Sequence, residues 1–420
     1  MRGSVLCFVF CCLVSSFILT SCGSGGTGSS VIKPGADAQK QILDALIKAP
    51  DGSVIELAEG KFDLTGSLSL EGKKNITFKG QGKDKTVLSF AKQSSGAEGL
   101  IVKNCQNFTV TQMALEDPKG DGIKVQDSKD VLISDIRMEW TGVPDSGNGN
   151  YGLYPVTCEN VIVEKNIVRG ASDAGIYVGQ SINAIVRNNH VYENVAGIEV
   201  ENTYFAEVYG NKVENNTGGI MIFDLPGLPK KNGHDIKVYK NVMKNNNHEN
   251  FSEKGITVYM VPPGVGFMVM ATDNVEVYDN DIEDHKTISI ATVSYGIMNR
   301  PLKDSLFNPF LSNIHIYNNR IKHGNEMMPD TTRDVGRMVY GLQQKTKAKF
   351  AIIDDGAMDP KADPKTRICI RDNQGDQTFF NLSDNKRQLK DYVCTLPAVK
   401  GVESPTANVA PAAKEAGAAH

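Results

Sequence analysis

Tryptophan occurs once in 420 residues and aromatic side chains make up 7% of the chain, so a core built on large rings is excluded. No charge sign dominates either, because 45 basic and 49 acidic residues give a formal net charge of −4. Such a balance cannot drive the counterion release on which nucleic-acid binding depends, and no nucleic-acid partner is expected. Outside residues 5–18, no apolar run approaches the ~20 residues that span a bilayer. Glycine, by contrast, is plentiful at 40 of 420 residues, above the ~7% of ordinary chains, which suits a fold with many tight turns. Apolar side chains reach 40%, enough to bury a core and to exclude wholesale disorder. The length admits two or three ordinary domains or one long repeat array.

The N-terminus reads as an export signal over residues 1–22. Arg2 supplies a minimal positive region, and the stretch from Val5 to Ile18 is nearly all apolar but short for a membrane span. Leu19-Thr20-Ser21-Cys22 follows, then Gly23-Ser24-Gly25-Gly26. This string resembles the lipobox of bacterial lipoproteins, which implies that Cys22 becomes the lipidated N-terminus and anchors the chain in a membrane. Residues 23–31 then form a flexible tether that lets a globular body stand off the bilayer. No aspartate follows Cys22, and under the same resemblance this favours the outer membrane of a bacterial envelope.

A repeat dominates the rest. An element of the form Gly-Ile/Leu-X-Val recurs at Gly122, Gly152, Gly175, Gly197 and Gly219, with a later copy at Gly266; the spacings are 30, 23, 22, 22 and 47 residues. A second alternating element follows each first, and it usually ends in asparagine, at Asn166, Asn189, Asn211, Asn241, Asn280 and Asn319. Two short strands with turns cannot bury a face alone, but they stack into a solenoid whose rungs lie ~4.8 Å apart. Asparagines recurring at one corner would form a hydrogen-bonded ladder inside the bend. A βαβ array needs ~30 or more residues per unit and a helix that none of these repeats contains.

The expected fold class is therefore all-β, a single parallel β-helix over residues 32–322 and a monomer. An amphipathic helix from Ala36 to Ile47, with Asp37 as its N-cap, precedes the first strands. That order resembles the start of pectate-lyase-like β-helices, which implies a right-handed coil whose open end the helix caps. Residues 323–400 lose the period and are expected to form a small C-terminal cap, followed by a disordered tail over 401–420. In an oxidising compartment Cys369 and Cys394, 25 residues apart, can close a disulfide on that cap. Cys105 and Cys158 fall in one column with Ser128 between them. Two rungs, ~9.6 Å, exceed the ~7 Å reach of a disulfide, so they should be unpaired, half-buried column fillers.

Spacings longer than a rung locate insertions between Asp135 and Gly152, Phe223 and Asp235, Asn241 and Gly266, and over Ile297 to Phe310. All of them flank the first strand, and loops on both edges of one face make walls around it. Period-2 alternation turns outward the positions two and four residues after each glycine. They give a strip of Lys124, the tyrosines Tyr154 and Tyr177, the carboxylates Glu199 and Glu201, and an apolar end at Met221, Phe223, Met268 and Met270. That end should pack beneath the loop from Val258 to Pro263. Gln180, Asn202 and Asp224 follow at the corner, and Asp173 and Arg169 lie on the preceding bend within reach of the strip.

Exposed tyrosines on a flat ladder suit sugar rings, while carboxylates bind hydroxyls, hold calcium or act as acid and base. Glu199 and Glu201 would have Cβ atoms ~6.5–7 Å apart, a separation that permits paired-carboxylate hydrolysis. Paired acids on an exposed strand are also commonly just solvated. The catalytic candidates are Glu199, Glu201, Asp173 and Arg169; the ligand-binding candidates are Lys124, Tyr154, Tyr177, Gln180, Asn202 and Asp224. No cofactor is required, and calcium is admissible.

The strings Asn150-Tyr-Gly-Leu-Tyr-Pro155, Gly170-Ala-Ser-Asp-Ala-Gly-Ile-Tyr-Val-Gly-Gln-Ser181, Val195-Ala-Gly-Ile-Glu-Val-Glu-Asn202 and Asn216-Thr-Gly-Gly-Ile-Met-Ile-Phe-Asp-Leu-Pro226 resemble a family of bacterial parallel β-helix repeat lipoproteins. The likeness runs from about residue 32 to 396 and brings no established activity with it. Wider relatives include polysaccharide lyases, mannuronan epimerases and carbohydrate-binding solenoids. The epimerase signature Asp-Pro-His-Asp is absent, since the most similar stretch is Tyr154-Pro155-Val156-Thr157. Three functions follow as expectations: an envelope lipoprotein binding a polysaccharide along the walled face; a polysaccharide lyase, hydrolase or epimerase; or an accessory subunit docking an envelope protein partner.

Overall fold

The structure, a computed structural model, describes residues 31–402 apart from residue 386. Cys22 with its lipobox, the tether up to residue 30 and the tail from residue 403 lie outside the described residues.

Short β-branched strands repeat because each turn of the coil buries the same alternate positions. The first strands of successive coils, such as Ala174–Gly179, Ala196–Glu201 and Gly218–Phe223, form an 11-stranded parallel sheet. The second and third strands, such as Ile182–Arg187 and His190–Tyr192, pair in register with their counterparts one coil away. Inward side chains stack in columns: Ile123, Leu153, Ile176, Ile198, Ile220, Phe267 and Ile290 occupy one, all wholly buried. Identical spacing along the axis keeps every apolar atom against its neighbour above and below.

The asparagine ladder holds one corner. Asn189 Nδ2 donates to Asn211 Oδ1 at 3.0 Å, and Asn211 Nδ2 to Asn241 Oδ1 at 2.9 Å, with the chain continuing through Asn280 and Asn319 to Asn373. Each Oδ1 also accepts a backbone N–H, as from Asn211 N to Asn241 at 3.0 Å. A second, shorter ladder that the sequence reading did not foresee joins Asn194, Asn216 and Asn246. The recurring glycine has a packing reason. A Cβ at Gly197 would stand 2.4 Å from Val213 Cγ1 and 3.1 Å from Asn216 Nδ2, so the position points inward.

The N-terminal helix spans Ala38–Lys48 and turns Ala38, Ile42 and Leu46 onto the open end of the coil; Asp37 precedes it without making a side-chain cap. Two C-terminal boundaries need correction. The coil does not stop at residue 322, because Ile352–Asp354, Ile368–Arg371 and Phe379–Asn381 extend both sheets to Asn381. A helix inserted at Asp334–Thr346 hid these rungs, and it packs Val339 on Ile288, Ala291 and Ile353 of the first sheet's outer face. Residues 401 and 402 are likewise placed against the solenoid, with Val402, like Tyr209, packed on the cluster of Leu132, Ile162 and Ile185. The Cys369–Cys394 disulfide forms, with Cα atoms 5.2 Å apart. Cys105 and Cys158 are free, and both are buried rather than half-buried. No helix among the described residues is long and apolar enough to cross a membrane.

Candidate functional site

The strip on the outer face of the first sheet exists, but it is covered rather than open. Register places Tyr177 beside Glu199 and Gly179 beside Glu201, and the next coil brings Met221 and Phe223. The insertion containing the 3-10 turn Thr257–Met260 folds over these positions. Arg333 fixes that cover: its Nε donates to Tyr259 O at 2.8 Å and its guanidinium lies 4.0 Å from the Tyr259 ring. Asn250 Nδ2 ties the same segment through Val258 O and Val261 O. Met221, Phe223, Met268 and Met270 pack beneath it as expected.

Beneath the cover lies a cavity of about 120 Å³ whose walls include Tyr151, Asp173, Tyr177, Glu199, Glu201 and Met221. Glu199 is 3% exposed and Glu201 7%, so the paired acids are buried, contrary to the solvated strand the sequence suggested. Tyr177 folds back over Gly179, where a Cβ would stand 2.3 Å from its ring, and its hydroxyl donates to Glu201 on the next rung. Tyr151 lies beside Asp173 in the same wall and favours its carboxylate. Glu199 has no hydrogen bond or ion pair among the described residues, and the negative groups nearest to it are Asp173 and Glu201.

Electrostatics follow from this crowding. Burial, then the charges of Asp173 and Glu201, push the Glu199 carboxyl well above the usual carboxylate range. Burial raises Glu201 to about 7 against the opposing Tyr177 hydrogen bond. Asp173 also rises to about 7, by burial first, with Tyr151 opposing and Glu201 reinforcing the shift. Near pH 7 Glu201 and Asp173 are each part-protonated, so the site can donate as well as accept hydrogen bonds. No cluster of three or more His, Cys, Asp or Glu side chains among the described residues is arranged to hold a metal ion.

Of the residues singled out in the sequence, Asp173, Tyr177, Glu199 and Glu201 meet at this cavity, while Tyr154 and Lys124 stand beside it. The Tyr154 ring lies 5.0 Å from Tyr177 edge-on, and Lys124 Nζ sits 4.8 Å above Tyr154. The others are elsewhere. Arg169 is spent on Glu193, Trp140 O and Gly142 O, and does not reach the strip. Gln180 lies round the corner in an open groove. Asn202 and Asp224 hold the insertion after Phe223: Asn202 Nδ2 donates to Leu225 O and Lys230 O, and Asp224 accepts from Gly233 N and Thr272 Oγ1.

Tyr151 and Asp121 were missed. Both occupy the register position just before the recurrent glycine, which faces outward because the glycine itself faces in. Asp121 accepts from Tyr151 N at 3.2 Å, and burial raises its carboxyl to about 6, with Lys124 opposing.

A family model described as right handed beta helix region matches residues 76–227. The chain is a right-handed parallel β-helix. Polygalacturonase from Erwinia carotovora ssp. carotovora is similar in fold, with a TM-score of 0.50 and 10% identity, covering 71% of this chain and 94% of that one. The A-module of a mannuronan C-5 epimerase from Azotobacter vinelandii gives 0.48 and 15% identity over 80% of this chain and 90% of that one. A DFA-IIIase from Arthrobacter chlorophenolicus A6 gives 0.49 and 12% identity over 88% of each chain. Likeness this remote concerns the fold alone. No curated protein matches the sequence.

Proposed function

We propose that this β-helix binds a polysaccharide on the outer face of its first sheet and presents one sugar unit to the carboxyl–tyrosine cavity. It does so as an exported lipoprotein anchored through Cys22. The observation that carries the reading is Glu199, a largely buried residue that lines the cavity and has no hydrogen bond or ion pair among the described residues. A buried polar group left unpaired is costly, and such groups persist where a ligand completes them. A sugar hydroxyl can both donate and accept, which matches part-protonated carboxyls flanked by tyrosine hydroxyls. Tyr154 and Lys124, half-exposed beside the cavity, offer a ring face and a cation to the adjoining unit of the chain. The polygalacturonase of similar fold is by its name a polysaccharide enzyme, which agrees with this class of ligand.

A second reading, turnover by acid–base chemistry, is favoured by the raised carboxyls. Glu201 and Asp173, near 7, are poised to exchange protons at neutral pH. A glycan array and a depolymerisation screen of the protein lacking residues 1–22 separate the two readings. Retention of a polysaccharide, weakened by Tyr154→Ala and by Glu199→Gln, supports binding. New reducing or unsaturated ends that vanish in Glu199→Gln/Glu201→Gln would make it an enzyme. Silence in both assays, with a protein co-purifying, would return the weight to a partner-docking subunit.

A further inference from the structure

Apart from the carboxyl site, an open groove of about 780 Å³ lies at the corner between the first and second sheets. Two rows of side chains in register line it. One row is Lys74, Gln106, Lys129, Glu159, Ile182 and Tyr204, each paired with the next one coil further along. The other is Asn104, Asp127, Thr157 and Gln180, all with left-handed backbone at φ of 50–53°. That conformation bends the chain at the corner and lifts these polar side chains along its rim. Five rung steps separate Lys74 from Tyr204, about 24 Å along the axis.

We infer that this groove is a second binding track, for an extended, hydroxyl-rich chain carrying widely spaced negative groups. Its amides, hydroxyls and carboxylates repeat once per rung, a spacing comparable with the length of one pyranose unit. Gln180 Oε1 is buried here with no hydrogen-bond donor among the described residues, and a ligand hydroxyl would supply one. The cations fix the charge. Lys129 is neutralised by Glu159 at 2.8 Å, whereas Lys74 and Lys230 at the two ends have no ion-pair partner among the described residues. Lys230 instead lies 4.7 Å above the Tyr204 ring. Asn202, placed among the ligand contacts by sequence, positions this end by accepting from Leu225 N and donating to Lys230 O. Two free ammonium groups so far apart fit an occasional carboxylate or phosphate, not a dense polyanion.

The inference rests on the polysaccharide reading for its class of ligand but on separate residues for its site. Retention of the protein lacking residues 1–22 would be measured on immobilised carboxymethyl-dextran, carboxymethyl-cellulose and their uncharged parents. Retention on at least one charged polymer above its parent is expected. Lys74→Ala/Lys230→Ala should weaken it roughly ten-fold, the loss of two exposed ionic contacts, and Lys345→Ala, an exposed charge on the helix Asp334–Thr346 and in neither lining, should leave it unchanged. Gln180→Ala, which carries no charge, should weaken retention on charged and uncharged polymers alike. Unchanged retention in the double lysine variant, or no retention on any of the four polymers, would overturn the track. Loss in Glu199→Gln and Tyr154→Ala alone would leave the cavity reading standing and remove the groove.

Discussion

At the scale of single residues, the chain stores a cost at its cavity. Glu201 rises from 4.5 to about 7 because burial penalises the carboxylate. In the folded state it binds a proton that the unfolded chain releases between those values, so stability falls as pH rises from about 4.5 through 7. At 1.36 kcal/mol per pKa unit the penalty at pH 8 is on the order of 3 kcal/mol. Glu201→Gln keeps an acceptor for Tyr177 and removes the charge. It should raise the thermal midpoint at pH 8 and leave it nearly unchanged at pH 4.5. An equal shift at both pH values would mean that the carboxyl is not desolvated as described. His285 and His323 act in the opposite sense, since burial lowers them to about 3 and about 4. Their folded pKa lies below 6.5, so stability falls as pH drops from about 6.5 towards those values. Gly179→Ala is a second residue-scale test. The added methyl would meet the Tyr177 ring and push its hydroxyl off Glu201. Ligand retention should fall without a comparable loss of stability, and unchanged retention would remove Tyr177 from the site.

At the scale of elements, the ladder is the most cooperative feature. Asn211 Oδ1 accepts from Asn189, and its Nδ2 donates to Val186 O and Asn241 Oδ1. Asn211→Ala leaves several buried groups unpaired, with an expected loss of about 2–4 kcal/mol in urea denaturation. Lys345→Ala, at an exposed position of the helix Asp334–Thr346, should cost under about 0.5 kcal/mol; similar losses in both would deny the ladder its role. This ladder, the inward columns and the free cysteines were legible because a strict period repeats them at one position per coil. Three other features were not. The outward turn of Asp121 and Tyr151 depends on the inward turn of the neighbouring glycine, which alternation counted from the strand centre does not give. The burial of Glu199 and Glu201 depends on a segment some 55 residues later and on Arg333, a contact with no local signal. The last rungs escaped notice because Asp334–Thr346 interrupts the period with a helix.

At the scale of the whole molecule, the C-terminal strap ties distant coils together. Val399 N donates to Glu276, Lys400 N to Asp235 and Val402 N to Glu207, so the strap runs back across the second sheet. The Cys369–Cys394 bridge, which closes a 25-residue separation, fixes where it starts. Closing such a loop stabilises by about 3 kcal/mol. Cys369→Ser/Cys394→Ser should lower the thermal midpoint and open Lys390 and Lys400 to trypsin while the far-UV spectrum stays the same. Unaltered cleavage would show that the hydrogen bonds alone hold the strap.

On the first sheet's outer face, Glu199, without a hydrogen bond or ion pair among the described residues, is proposed to await a ligand. Carboxyl-detected NMR titration of protein carrying ¹³C-labelled glutamate, with signals assigned through Glu199→Gln and Glu201→Gln, tests it most directly. The account requires the Glu201 signal to titrate near 7 and the Glu199 signal above the ordinary range. Titration of both near 4.5 would mean hydrated carboxylates on an open surface, and the cavity would lose its claim to be the site.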